Sequence, residues 1–279
     1  SGRCFAGNAA LVGCCDVIIA DESSNLGMAG PAMIEGGGLG IYPPEEIGPI
    51  DVQSANGVVD IRVKDEAEAC KVARKYLSYF QGALPDWTAR DARALRHVVP
   101  ENRLRVYEVR AAIDGMADVG SVLELRAQFG LGIVTAFIRI EGKPFGVMAN
   151  NPKHLGGAID ADASDKAARF MQLCDAFDIP MISLCDTPGF MVGPEAERTG
   201  LVRHTARMFV TARSLSVPIF AVVLRKCYGL GAMGMIGGGT YDNFMSVSWP
   251  TGEFGPMGLE GAVTLGFRRE LDAVTDASE

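Results

Sequence analysis

The 279-residue chain is poor in the residues that several chemistries require. Its three histidines, His97, His154 and His204, are scattered, and none of its seven cysteines forms a CxxC pair. No zinc-type ligand set can be assembled from that inventory, and no metal site is expected. A basic excess is also missing. Lys and Arg number 26 against 34 Asp and Glu, a net charge of −8, which argues against the cationic face that releases counterions from nucleic acid. Long hydrophobic runs are absent too: the longest, Val217 to Leu224, is far short of the ~20 residues that cross a bilayer, so no membrane partner is expected. There is no Walker A motif. The glycine-rich stretch fails the dinucleotide fingerprint, because no acidic residue closes a second strand about 20 residues further on. The chain opens on "SGRCFAGNAALVGCCDVIIA", with no initiator methionine, signal peptide or polar lead-in, as expected of a piece of a longer protein. The odd cysteine count, with several inside apolar runs, points to reduced thiols and an intracellular, cytoplasmic setting.

Apolar residues and glycine are plentiful, at 48% of the chain and 34 residues respectively. That suffices for one large core or two modest ones. Six glycines crowd into "KCYGLGAMGMIGGG", residues 226–239, a backbone-entropy cost that needs a reason.

The pattern along the chain predicts α/β architecture. Residues 65–80 read as a helix with Asp65 as N-cap, acids in its first turn, and Ala69, Val72, Ala73, Tyr76, Leu77 and Phe80 at helical spacing. Gly82, Pro85 and Pro100 break the periodicity and mark a linker at 83–104 between units 1–82 and 105–279. Beyond it come an apolar hairpin ("GIVTAFIRIEGKPFGVMAN"), a helix capped by Ser164 or Asp165, a buried strand ("PMISLCD"), a second helix ("TGLVRHTARMFVTARSL") and another buried strand ("VPIFAVVL"). Strands separated by helices at this spacing indicate a mainly parallel core.

The chain also resembles itself. "RCFAGNAALVG" (3–13) aligns with "KCYGLGAMGMI" (226–236), and "PAMIEGGG" (31–38) with "PMGLEGAV" (256–263), pairing Glu35 with Glu260. Two matches in the same order favour a duplicated unit, of which the chain holds the tail of one copy and most of a second. Each copy reads as strand, small-residue turn, helix. A first helical turn has no intrahelical partner for its N–H groups, and small residues let a ligand carbonyl approach them. That arrangement is an oxyanion hole, which holds an enolate without any catalytic side chain. The plain alternative, a tight turn with close helix packing, accounts for three of the six glycines.

"RCFAGNAALVGCCD", "SYF", "NNPKHLGGAIDADASDKAARFMQLCDAFDIPMISLCDTPGF" and "SWPTGEFGPMGLEGA" together resemble the carboxyltransferase subunits of biotin-dependent acyl-CoA carboxylases, over nearly the whole chain. The resemblance implies a crotonase-like superhelix duplicated into N and C halves. It implies transfer of a carboxyl group from carboxybiotin to the α-carbon of an acyl-CoA: released CO2 leaves a biotin anion that takes the α-proton, and the enolate attacks the CO2. By position, Ala6 and Gly7 form the N-half hole for the thioester carbonyl, and Leu230 and Gly231 the C-half hole for the biotin ureido oxygen, with Gly229 shaping the turn. Asn151, Lys153, Gly156 and Gly157 fall in the acyl-CoA-binding stretch, with Lys153 a candidate phosphate contact, and Pro188, Gly189 and Phe190 in the pocket wall. Asp186 reads as structural rather than as a base, His204 as a surface or interface residue, and Lys226 as a pocket cation or polar punctuation.

The chain departs from the family in places. Met233 stands where propionyl-type members carry an aspartate, "YGLGAMG" looks closer to the methylcrotonyl and branched-acyl branch, and Gln53 replaces a family histidine after Gly48-Pro49. Met233 and Met235 would favour an acyl chain larger than acetyl. No "AMKM" biotinyl motif is present, so biotin would arrive on a biotin carboxyl carrier served by a biotin carboxylase. Family members assemble as hexamers. The rival readings are another crotonase-type enzyme, an acyl-CoA decarboxylase or a hydratase using Glu35 and Glu260, and a truncated chain that folds without turnover.

Overall fold

The computed structural model describes residues 1–239, 241 and 243–273. In the first unit β1 (Arg3–Phe5) runs parallel to β3 (Asn25–Gly27), and β2 (Ile19–Asp21) parallel to β4 (Ile61–Val63). Helices α1 (Gly7–Gly13), α2 (Pro31–Gly36), α3 (Ile50–Ala55) and α4 (Glu66–Ser78) accompany them. The Asp65 carboxylate caps α4 by accepting from Glu68 N, and the Glu68 carboxylate accepts from Lys64 N, so two end amides are satisfied reciprocally.

The second unit is one sheet, seven-stranded among the described residues. Its path runs β10 (Met245–Ser248), β9 (Ile219–Tyr228), β8 (Met181–Thr187), β7 (Lys143–Asn150), β6 (Ile133–Ile140) and β5 (Leu123–Leu125), with β11 (Glu253–Gly255) on the far end of β9. β7, β8 and β9 are mutually parallel, whereas β6 and β7 form the antiparallel hairpin read from the sequence. Because both faces are covered, alternate residues of one strand enter different cores. Ile133 and Phe137 face α4 and helix α6 (Ala161–Ala176), while Val134, Ala136 and Ile138 face α5 (Val109–Met116). Helices α7 (Pro194–Glu197), α8 (Leu201–Ser214), α9 (Gly229–Met235), α10 (Leu259–Gly266) and α11 (Arg268–Ala273) complete the unit.

The first unit docks through aromatics. Phe137 is fully buried, with the rings of Tyr76, Tyr79 and Phe80 from the first unit and Phe170 from the second 5.4–6.0 Å away. Truncating such a residue to alanine costs about 3–5 kcal/mol. The segment read as a linker is pinned rather than free. Leu84 N donates to Gly142 O, Val119 N to Thr88 O, and the Arg139 guanidinium to Gly82 O.

Three local expectations are corrected. The cap of α6 is Asp160, whose carboxylate accepts from Ala163 N. Ser164 lies inside the helix donating to Asp160 O, and Asp165 is engaged by Arg207 and His204. The last strand of the parallel set does not stop at Leu224 but continues through Lys226 to Tyr228, held there by β11. The repeat is real at strand level, since β1–β3 and β9–β11 share one plan, but its second register is shifted. Gly27 pairs with Phe5 and Gly255 with Tyr228, and the following helices begin at Pro31 and Leu259. Glu35 is therefore the fifth residue of its helix and Glu260 the second, so they are not equivalent.

Lys166 is buried outside the candidate site. The Lys166 ammonium is fully buried and donates to the carbonyls of Arg126 and Phe129 at 2.8 and 2.9 Å. Burial pushes it down from 10.5 to about 7. Between those values the unfolded chain binds a proton that the folded one refuses, so stability falls as pH drops through that window and levels off below it. Lys166→Met removes this dependence. In denaturant titrations at several pH values, the variant should gain on the parent by up to roughly 1.4 kcal/mol per pH unit on descending through the window. A constant difference between the two would contradict the assignment.

Candidate active site

The loops that follow β7, β8 and β9 gather at the carboxyl ends of these parallel strands, where open α/β sheets place their ligands. After β7, Asn151 is tied inward: its amide donates to Leu131 O at 2.9 Å and its carbonyl accepts from Lys153 N. The Lys153 ammonium is committed to Glu108 at 2.9 Å in an exposed ion pair. Leu155, Gly156 and Gly157 then take φ of +49°, +63° and +90° in succession, a run of left-handed backbone that costs energy at the leucine. Gly157 is buried, its N–H donates to His154 O, and a Cβ there would stand 2.3 Å from Asp186 O. Its glycine is explained by packing, not by a ligand. Gly156 has open space where a Cβ would stand.

After β8, Gly189 (φ +129°) exchanges hydrogen bonds with the Thr187 hydroxyl. Ile159 N donates to Gly189 O and Met191 N to Ile159 O, stitching this loop to the previous one. Phe190 sits edge-on to Phe209 at 6.0 Å.

After β9, five of the six glycines have a conformational or steric reason. Gly229 turns the chain at φ +57°, and Gly237 and Gly238 end the helix at +93° and +94°. A Cβ on Gly231 would stand 2.5–2.7 Å from the backbone of Gly189 and Phe190, and one on Gly234 3.3 Å from the Phe190 ring. Packing thus explains more of the glycines than the sequence indicated. It also seats the first turn of α9, Gly229–Gly231, directly on the Gly189–Phe190 loop, with the Leu230 side chain 63% exposed. Met233 is 36% exposed beside it, but Met235 is fully buried in the core and lines no pocket.

A charge cluster lies beneath the loops. Asp186 is 0% exposed. It accepts from the Tyr107 hydroxyl at 2.9 Å and Lys226 N at 3.1 Å, and its ion pairs with Arg225 and the Lys226 ammonium are both 3.2 Å. Asp186 N in turn donates to the Asn150 side chain. Burial and the neighbouring carboxylate push the Tyr107 phenol well above its ordinary range. Arg225 also donates to the carbonyls of Arg103 and Arg105. With its oxygens enclosed by these donors, Asp186 is structural and not a base. Tyr107, Arg225 and Asn150 went unnoticed in the sequence; the adjacent charges Arg225 and Lys226 closing an apolar strand were the available signal.

Residues 1–278 match the carboxyl transferase domain. The chain belongs to the carboxyl transferase domain family. It is 34% identical over 283 residues to the uncharacterized carboxylase YngE of Bacillus subtilis (97% of this chain, 55% of that protein). Over 289 residues it is 32% identical to the methylmalonyl-CoA carboxyltransferase 12S subunit of Propionibacterium freudenreichii subsp. shermanii (99% and 54%). The whole chain superposes on part of a single-chain, multi-domain long-chain acyl-CoA carboxylase with a TM-score of 0.94 and 60% identity, covering 27% of that protein. It superposes on the transcarboxylase 12S structure with a TM-score of 0.88 and 32% identity, covering 55% of it. The fold is crotonase-like. The chain spans about half the length of the curated relatives it matches.

In this carboxyl transferase domain the first-unit turn differs from its counterpart. Ala6 takes φ +54° and its N–H donates to Gly27 O at 3.1 Å. That amide is spent on the sheet, which corrects the expectation of two donors at Ala6 and Gly7. Gly7 opens α1 with open space where a Cβ would stand. The Ala6–Gly7 turn belongs to the β1–β3 sheet and the Leu230–Gly231 turn to the large sheet. Gln53 donates to Leu26 O from the side chain, bracing β3. His204 pairs with Asp165 at 2.8 Å. Glu260 is ion-paired to Arg103, and Glu35 is exposed on α2, so the two glutamates are not set up as an acid–base pair. Among the described residues, no group of three or more His, Cys, Asp or Glu is placed to hold a metal, and no helix is long and apolar enough to cross a membrane.

Proposed function

We propose that this chain is part of the carboxyltransferase component of a biotin-dependent acyl-CoA carboxylase. It would move a carboxyl group from carboxybiotin to the α-carbon of an acyl-CoA through an enolate held by backbone amides. The observation that carries this reading is the first turn of α9 seated on the Gly189–Phe190 loop at the carboxyl ends of β8 and β9, within a family-matched chain. In it the amides of Leu230 and Gly231 serve the biotin ureido oxygen, and Gly7, relieved of Ala6 as a partner, serves the thioester carbonyl. Such donors act by being fixed before charge develops, each worth about 2.7–4 kcal/mol of barrier. Gly156, Gly189, Phe190, Gly229 and Met233 form the walls, while Asn151, Lys153 and Gly157 hold the scaffold.

Residues 1–82 and 105–279 are the two carboxyltransferase halves in this reading, joined by 83–104. Biotin comes on a biotin carboxyl carrier charged by a biotin carboxylase, in the cytoplasm. The working enzyme is a homo-oligomer, a reading supported by the hexamer assembly of the transcarboxylase 12S relative. An acyl chain longer than acetyl is supported by Met233 and by the long-chain acyl-CoA carboxylase at 60% identity.

The test is carboxyl transfer by the full-length protein containing this chain, with its biotinylated carrier, a biotin carboxylase, ATP and labelled bicarbonate. Labelled malonyl-type product should form, faster with long acyl-CoAs than with acetyl-CoA. Equal turnover of acetyl-CoA would contradict the chain-length assignment, and absence of transfer the function.

A further inference from the structure

Lys226 does more than close its strand. Its ammonium lies 2.8 Å from Gly156 O and 3.2 Å from the Asp186 carboxylate, with the side chain only 21% exposed. One cation therefore joins the loop after β7, the end of β8, and β9 itself three residues before Gly229. Its partners are protein atoms at both ends. The loop it grips carries one strained residue, Leu155 at φ +49°, followed by Gly156 and Gly157, whose left-handed backbone only glycine adopts freely. Backbone of that kind persists only where its surroundings over-determine it. Within the loop Gly157 N donates to His154 O and Ala158 N to Leu155 O; from outside it, the Lys226 bond to Gly156 O and the seating of Gly157 on Asp186 O, where a Cβ would stand at 2.3 Å, fix its place. Asp186 fixes the ammonium in turn, because Tyr107, Arg225 and Lys226 N occupy the rest of its oxygens.

We infer that Lys226, anchored by Asp186, is a positioning residue that holds the Leu155–Gly157 loop in register with the first turn of α9. This rests on the function proposed above. The role is not catalytic contact: without the tie, the exposed Gly156 segment is released from the ends of β8 and β9, to which Lys226 binds it. Misplacements of about 1 Å in such sites lower turnover on the order of 100-fold.

The experiment compares parent, Lys226→Met and Lys226→Arg in the full-length protein with its carrier, a biotin carboxylase, ATP and bicarbonate. It measures kcat and KM for acyl-CoA together with amide hydrogen exchange along the chain. Lys226→Met should lower kcat by roughly 100-fold with KM within about threefold, and should speed exchange at residues 155–158 roughly tenfold while β8 and β9 stay protected. Lys226→Arg, which keeps a cation able to reach both partners, should recover most of the rate. Unchanged kcat in Lys226→Met overturns the inference. So does a loss of rate with exchange at 155–158 unaltered, since the lysine then acts on substrate directly. If the parent itself transfers no carboxyl group, the function proposed above fails. The exchange data still decide the positioning role: faster exchange at 155–158 alone supports it, and unchanged exchange refutes it.

Discussion

Replacing Asp186 by alanine is expected to cost about 3–5 kcal/mol of folding stability, the range for removing one partner from a buried ion pair. The size follows from what remains. Arg225 is almost wholly buried, and both it and Lys226 point at the carboxylate. The Arg225 guanidinium would keep the carbonyls of Arg103 and Arg105 and the face of the Tyr107 ring but no counter-charge from Asp186, so its positive charge would be left uncompensated in a low-dielectric interior. Asp186→Asn, which preserves shape and one of the two acceptor oxygens but sets an amide donor where the other accepted, should cost less. At about 2–4 °C per kcal/mol for a chain of this size, the alanine variant should melt roughly 6–20 °C lower. Denaturant titration of the two variants checks the order; a cost below about 1 kcal/mol for alanine would mean that the cluster is not desolvated as described.

Gly231→Ala carries the second large effect. Its Cβ would stand 2.5–2.7 Å from the Cα and carbonyl carbon of Gly189 and from Phe190 N, all backbone atoms. That loop is fixed by the bonds from Ile159 N and from the Thr187 hydroxyl, so it has little room to yield. Overpacking of this kind costs about 1–3 kcal/mol. Because the displaced atoms are the first turn of α9 and the wall it rests on, turnover should fall more than stability does, by roughly 100-fold. Gly156→Ala is the control. It meets no atom within 4 Å but sits at φ +63°, so its cost should be confined to about 1–2 kcal/mol of backbone strain. If Gly231→Ala proved no worse than Gly156→Ala in both stability and rate, the close seating of α9 would be wrong.

Much of this was legible in residue order because it is local. Asp65 capping α4, the β6–β7 hairpin and the two strand–turn–helix units each follow from propensity and periodicity within a short window. What escaped is set by distance in the chain. The Asp186 cluster joins Tyr107, 79 residues away, to Lys226, 40 residues away, and no spacing rule connects them. Whether a turn amide is free depends on which carbonyl lies opposite: Ala6 finds Gly27 O because β3 returns beside β1. Met233 and Met235 look alike in sequence, yet two positions along a short helix separate a partly exposed side chain from a core one. Among three nearby acids, Asp160, Asp162 and Asp165, Asp160 is the cap because its backbone is still extended, after Ile159 pairs with Phe190, and its carboxylate reaches Ala163 N.

In the proposed reaction, main-chain N–H groups, rather than acidic or basic side chains, receive the charge that develops during carboxyl transfer. A structure of the full-length protein with biotin and an acyl-CoA analogue bound measures this directly. The ureido oxygen is expected about 2.7–3.1 Å from amides of the α9 first turn, at Leu230 or Gly231. An oxygen held instead by a charged side chain such as Lys226 or Lys153, with those amides turned away from it, would rule out the backbone-amide mechanism.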